Sequence, residues 1–159
     1  EDLFAYADDA ELGMRARIAG WKCIYAPKAV VLHHRGATLG VLSSKRLQLI
    51  ERNRVLLVLK HFPLSLIWLN APYWAMRVAA GAWAGFNGRG EAARFEGVGG
   101  KAKIAAALLQ GFAQALAMAP ATLRKRRALR GIRKLTPKQV RELLFQYRIS
   151  LKELSEHAT

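Results

Sequence analysis

Asp8, Asp9 and Glu11 stand near the start of this 159-residue chain, in the string Phe4-Ala5-Tyr6-Ala7-Asp8-Asp9-Ala10-Glu11-Leu12-Gly13-Met14-Arg15. A tight group of carboxylates suits general-base chemistry, the removal of a proton from an attacking hydroxyl. The same Asp-x-x-Glu spacing is that of a capping box, and acids are favoured in a first helical turn on electrostatic grounds alone. The residues leave both readings open. His33 and His34 follow, and imidazole is a metal-ligating group as well as an ordinary structural one. Arg52 and Arg54 carry guanidinium groups that match phosphate oxygens two at a time, or else simply solvate a helix face. Arg15 lies four residues after Glu11, the spacing of a helix-surface ion pair.

These groups need elements to hold them. A helix is expected from Asp8 to about Ala19, stopped by Gly20 as its C′ glycine. Trp21 to Tyr25 reads as a short strand, Ala26-Pro27-Lys28 as a turn, and Ala29 to His33 as a β-branched strand buried on both faces. Cys23 would then be a buried strand thiol, and a lone cysteine fits a reducing compartment. Residues 35 to 40 read as a loop. Ser43 or Ser44 caps a long helix to about His61, with Leu47, Ile50, Val55, Leu57 and Val58 at near-helical intervals. Residues 62 to 86 are apolar and aromatic, and the glycine-rich stretch 87 to 100 reads as a loop or hinge. A second apolar helix, a basic run at Arg124-Lys125-Arg126-Arg127, and an amphipathic helix opened by Thr136-Pro137 complete the chain.

The net charge is +15 with 52% hydrophobic residues. That mixture points to an anionic membrane surface more than to nucleic acid. No zinc-ligand pattern, RNA-binding signature or helix-turn-helix is present, so no nucleic-acid partner is expected. The span from Phe62 to Phe86 is interrupted by Pro63, Asn70, Pro72 and Arg77. Ile104 to Leu123 contains Gln110, Gln114 and Pro120. Neither is read as a transmembrane helix. Trp68, Trp74 and Trp83 with Arg77 suit an interfacial helical hairpin, with the 124–134 cluster on lipid headgroups. The alternative is a helical subdomain packed on the first part of the chain.

The pattern Phe4-x-Tyr6-x-Asp8-Asp9-x-Glu11-Leu12-x-x-Arg15, then Gly20-Trp21, Ala29-Val30-Val31-x-His33 and Glu51-Arg52-Asn53-Arg54, resembles family 2 glycosyltransferases. Among them it is most like the inverting, rhamnosyltransferase-like members. The family's usual string has Glu where Asp8 stands and Asp where Glu11 stands. The resemblance covers about residues 1 to 61. It implies an α/β fold: the C-terminal part of a glycosyltransferase-A (nucleotide-diphospho-sugar transferase) fold followed by a mostly helical tail. Residues 1–61 would belong to the catalytic domain, 62–123 to an apolar membrane-proximal region and 124–159 to a basic tail. The diphosphate-binding half, with its Asp-x-Asp motif, is not in this sequence, so the chain is expected to start inside a larger protein and to be inactive alone. By the resemblance Asp9 is the base and Asp8 supports it. His33 is a metal ligand, and Glu11, Trp21, Arg52 and Arg54 face substrate. The cofactor would be Mg2+ or Mn2+, which offsets charge developing on the leaving diphosphate. The partners would be a nucleotide-sugar donor, a glycan or lipid-linked acceptor, and an anionic membrane on whose cytoplasmic face the protein sits peripherally. The competing reading is a basic nucleic-acid-binding or membrane-adaptor module without catalysis.

Overall fold

The computed structural model describes residues 3–32, 39–40, 43–87, 97–148 and 150. Five α-helices appear there: α1 (Asp8–Ile18), α2 (Ser44–His61), α3 (Leu64–Phe86), α4 (Gly97–Ala128) and α5 (Pro137–Gln146), with a 3-10 turn (Leu129–Ile132) after α4. Among the described residues there is no strand, so the expected α/β fold is overturned: this part of the chain is helical. The runs read as strands, 21–25 and 29–32, have no regular structure, and Ile24, Tyr25, Val30, Val31 and Leu32 are each more than 80% exposed. The physical reason is that a helix closes its hydrogen bonds within itself, whereas a strand needs a neighbour for its N–H and C=O groups. Cys23, expected to be buried, is exposed with them. His33 and His34 lie outside the described residues.

Helix ends follow local chemistry. Ser43 caps α2, its hydroxyl accepting from the Arg46 N–H, and Pro63 follows the C-cap Phe62 and cannot continue the helix. Gly20 has φ +86 and closes α1 in a Schellman motif: its own N–H donates to Arg17 O and that of Trp21 to Ala16 O. The Lys134 and Leu135 N–H groups donate to Ile18 O at 2.9 and 3.1 Å, docking the start of α5 on the end of α1. Thr136 and Gln139 form a full capping box on α5, and Val140 beneath it is completely buried. The capping box expected at Asp8 does not form: the N-cap of α1 is Ala7, with no side-chain cap.

The core lies between α2 and α4, around Val55, Leu56 and Ala115, with Leu3, Leu59 and Met118 against it. Small residues on α4, Ala107, Gly111 and Ala115, let the two helices approach closely. A Cβ on Gly111 would lie 2.4 Å from the Gln48 carbonyl oxygen and 3.1 Å from Glu51 Cβ. The Gln48 oxygen is backbone and cannot swing aside. Gly111→Ala is therefore expected to force the helices apart at a cost of about 1–3 kcal/mol, read as a lower urea midpoint.

The outward faces are the reverse of a soluble protein's. Within α3 the polar interruptions point inward: Asn70 Oδ1 accepts from Arg54 at 2.7 Å, and Arg77 pairs with the buried Glu51 of α2. Trp74, on the same stripe, stacks on Phe112 of α4 with ring centres 5.6 Å apart. The large apolar side chains point out: Trp68 is 82% and Trp83 66% exposed, with Leu69 and Met76 also outside. On α4, Leu109 and Leu116 do the same. Residues Gly99–Ile132 are long and apolar enough to cross a membrane by length and composition, and mostly unburied. The interruptions by Gln110, Gln114 and Pro120 do not remove that property.

Candidate functional site

Three of the four largest fully buried side chains are polar: His61, Glu51 and Asn53, all on α2. Burying such groups is costly unless each finds partners, and their partners build the site. The Asn53 amide nitrogen lies 2.9, 2.7 and 2.8 Å from the carbonyl oxygens of Leu3, Ala5 and Tyr6. Arg52 adds a bond to Leu3 O at 2.9 Å and another to Asn53 Oδ1. Arg46 sits over the Tyr6 ring, 5.7 Å from its centre. The backbone these residues hold is unusual, since Phe4, Tyr6 and Ala7 all have φ between 60 and 68. A left-handed conformation costs a non-glycine residue of order 1 kcal/mol, so this loop persists only because α2 grips it. The two separated stretches of the resemblance, 4–9 and 51–54, thus meet as one hydrogen-bonded unit.

The acids divide. Glu11 turns inward: Oε1 accepts from Lys60 Nζ at 2.7 Å and faces His61 Nε2 at 3.0 Å, while Oε2 meets Arg15 at 3.4 Å. The expected Glu11–Arg15 pair is thus present as one part of a larger cluster. Asp8 and Asp9 turn outward into solvent at the first turn of α1. Asp9 Oδ1 accepts from the Ala10 N–H at 2.7 Å, which fixes its rotamer and leaves its other oxygen open to a ligand. Asp8 and Asp9 are therefore presented at the surface, while Glu11 fastens their helix to α2. Arg54 is committed to Glu51 and Asn70, and Arg52 to the loop. Trp21 is 71% exposed just past the end of α1.

Burial pushes the His61 pKa below its ordinary value, and the Glu11 carboxylate opposes this without overcoming it. For Glu11, burial alone would raise the pKa, but Lys60, His61 and Arg15 together hold it below the usual carboxylate range. The sign for His61 follows directly. A folded pKa below the unfolded 6.5 means the unfolded state takes the proton first, so its stability contribution is whole above about pH 6.5 and declines below it. The melting temperature is expected to fall between pH 7.5 and 5.5, and His61→Gln to flatten that slope.

Among the described residues no group of three or more His, Cys, Asp or Glu side chains lies together to hold a metal ion. His33 is not among them. The described residues do not by themselves build a metal centre, and no step below passes through one. An open groove of about 660 Å³ lies between α1 and α5, with Gly13, Met14, Arg17, Lys22, Leu143 and Leu144 among its lining residues.

With this geometry in view, comparison with known proteins gives one kind of match. A stretch of 40 residues is similar to a rhamnosyltransferase. The relative is the N-acetylglucosaminyl-diphospho-decaprenol L-rhamnosyltransferase of Mycobacterium tuberculosis, 45% identical over those residues in both strains CDC 1551 and H37Rv. The matched stretch is 25% of this chain and only 13% of the relative's length. No family model matches, and no solved structure matches. The likeness to a glycosyltransferase is thus partial.

Asn53 stands within the Glu51-Arg52-Asn53-Arg54 motif but carries no role by the resemblance, and Lys60 and His61 lie outside every motif. Asn53 had a signal: a weak helix former in the interior of α2 between two arginines. His61 had another, lying three residues after Val58 on the buried side of α2.

Proposed function

We propose that this chain carries the acceptor-side edge of an inverting glycosyltransferase, with Asp9 as the general base. Asp9 takes the proton from an acceptor hydroxyl as that oxygen attacks the anomeric carbon, and the nucleoside diphosphate leaves from the opposite face. Asp8 adds negative charge beside it. The single observation that carries the reading is the grip of Asn53 and Arg52 on the loop preceding Asp8 and Asp9. It fixes the largely left-handed turn Phe4–Ala7 that leads directly into Asp8 and Asp9 at the start of α1, the kind of pre-organisation a catalytic group needs. The partial match to a transferase acting on a diphospho-decaprenol-linked sugar supports a lipid-diphosphate acceptor. The donor would be a nucleotide sugar, with Mg2+ or Mn2+ and His33 as part of the same proposal. The test is incubation of the protein that carries this chain with nucleotide sugar and a prenyl-diphosphate-linked N-acetylglucosamine. One added sugar on the acceptor, by mass spectrometry, is the expected product, and an unchanged acceptor mass rejects the reading.

The protein would work peripherally at the cytoplasmic membrane face. Supporting this is the inside-out arrangement of α3 and α4, whose small and polar residues face α2 while indoles and leucines face out. The basic cluster splits by role. Arg126 donates to the Leu59 and Phe62 carbonyl oxygens at 2.9 and 2.7 Å, and Arg133 reaches His61 O at 3.5 Å, so both cap the C-terminus of α2. Arg124, Arg127 and Arg130 are exposed. Replacing these three by Gln is expected to weaken binding to anionic vesicles by up to about 3 kcal/mol at low salt. Arg126→Gln should instead lower fold stability, and vesicle sedimentation with thermal melts separates the two effects.

A further inference from the structure

We infer that α3 and α4 lie flat in one leaflet of an anionic membrane, their shared outer face among the acyl chains, and that α4 does not cross. This deepens the reading above that the protein works at a membrane face, and rests on it. Leu64, Trp68 and Ala75 of α3 and Leu109, Leu116 and Leu123 of α4 are all exposed. Helical spacing turns them away from α2, onto the flank that the two helices share. The Trp74–Phe112 stack joins the helices there. Neither helix has an aspartate or glutamate. Exposed cations flank the leucine stripe of α4, Lys101 and Lys103 before it and Arg124 and Arg127 after it. A second copy docked on this face would set like charges against each other. An anionic lipid surface complements them, and an indole suits its interface.

By length and composition alone Gly99–Ile132 could cross a bilayer, but α2 excludes it. α2 packs along α4 from Gly111, against the Gln48 carbonyl, to Arg126, which donates to the Leu59 and Phe62 carbonyl oxygens. It carries Arg46, Arg52, Arg54 and Lys60. A crossing α4 would drag these charges, and the loop that Arg52 holds, into the hydrocarbon. Lying flat, α4 keeps α2 on the water side. At about 100° per residue around α2, α4 takes the Gln48 and Val55 side and α3 the Glu51 and Arg54 side. Asn53, which grips the loop before Asp8, points opposite the direction midway between them. The carboxylates of α1 are thereby held in water, about 15 Å above the axes of α3 and α4.

The test adds sealed vesicles of equal parts phosphatidylglycerol and phosphatidylcholine to the protein that carries this chain. In a background with every cysteine replaced by serine, a fluorescent label is placed at Ala75→Cys, at Leu116→Cys or at the restored Cys23, all exposed. The first two labels should be quenched by spin-labelled lipid and lose their quenching by aqueous iodide, while the Cys23 label keeps it. Lys103→Cys and Arg130→Cys, at either end of the stripe, should both react with a membrane-impermeant maleimide added outside. Trp68→Gln with Leu116→Gln should weaken binding at high salt about tenfold or more and leave the melting temperature unchanged. No vesicle binding would remove the membrane reading itself. Binding that salt fully reverses, with the Ala75 and Leu116 labels open to iodide, would keep surface contact and overturn insertion. Reaction at only one end of α4 would show a crossing and overturn the flat arrangement. Shielding of both labels without vesicles, with a doubled mass in sedimentation, would give the face to a second copy instead.

Discussion

Asp9→Asn is expected to lower the rate of sugar transfer by about 10²–10⁴-fold while leaving donor affinity close to normal. The amide keeps the shape of the carboxylate and can still accept from the Ala10 N–H, as Asp9 Oδ1 does at 2.7 Å. It cannot take the hydroxyl proton. Fold stability should not follow, because Asp9 is exposed and its helix is fastened by Glu11 instead. The loss therefore belongs in kcat, with KM nearly constant, the mark of an interaction made in the transition state. Asp8→Asn, one position earlier and without that backbone bond, should cost far less. Steady-state kinetics on the two variants decide the assignment, and equal losses would remove Asp9 as the base.

Asn53→Leu is expected to destabilise the fold by about 3–5 kcal/mol, through the buried polar groups it strands. Asn53 is fully buried and its amide reaches three carbonyl oxygens at 2.7–2.9 Å. Leucine has similar bulk but no donor, so those carbonyls lose their partner and Arg52 alone holds the loop. The left-handed residues Phe4, Tyr6 and Ala7 then have less to hold them. Hydrogen exchange should show opening of residues 4–8 before the rest of the molecule unfolds, and transfer should fall in parallel. A loss below about 1 kcal/mol, with unchanged exchange, would show that the loop does not depend on α2.

Much of the helical layout was legible because its signals are local. Ser43, Gly20 and Thr136-Pro137 mark helix ends by their own side-chain and backbone chemistry, and each end falls where they place it. The strands at 21–25 and 29–33 were not secure on the same footing. β-branched residues describe a surface that fits a sheet, and pairing depends on chain far away. The buried face of α2 was only partly visible. Of the stripe read from the sequence, Val55 and Val58 are buried and Leu47, Ile50 and Leu57 only partly so; the buried face carries Leu49 and Leu56 instead, together with Gln48, Glu51, Asn53 and His61, which no hydrophobic period detects. In α3 the residues that seemed to spoil an apolar helix, Asn70 and Arg77, are the ones that dock it on α2. At the site, the carboxylates were visible as a group, but their division was not. Only the placement of Lys60 and His61 explains why Glu11 turns in and Asp9 turns out.

The most direct measurement is release of nucleoside diphosphate from a nucleotide sugar by the protein that carries this chain, followed with and without a prenyl-diphosphate-linked acceptor. Transfer predicts release that requires the acceptor, matches it mole for mole, and is lost in Asp9→Asn. Release that ignores the acceptor, or that survives undiminished in Asp9→Asn, would contradict the account.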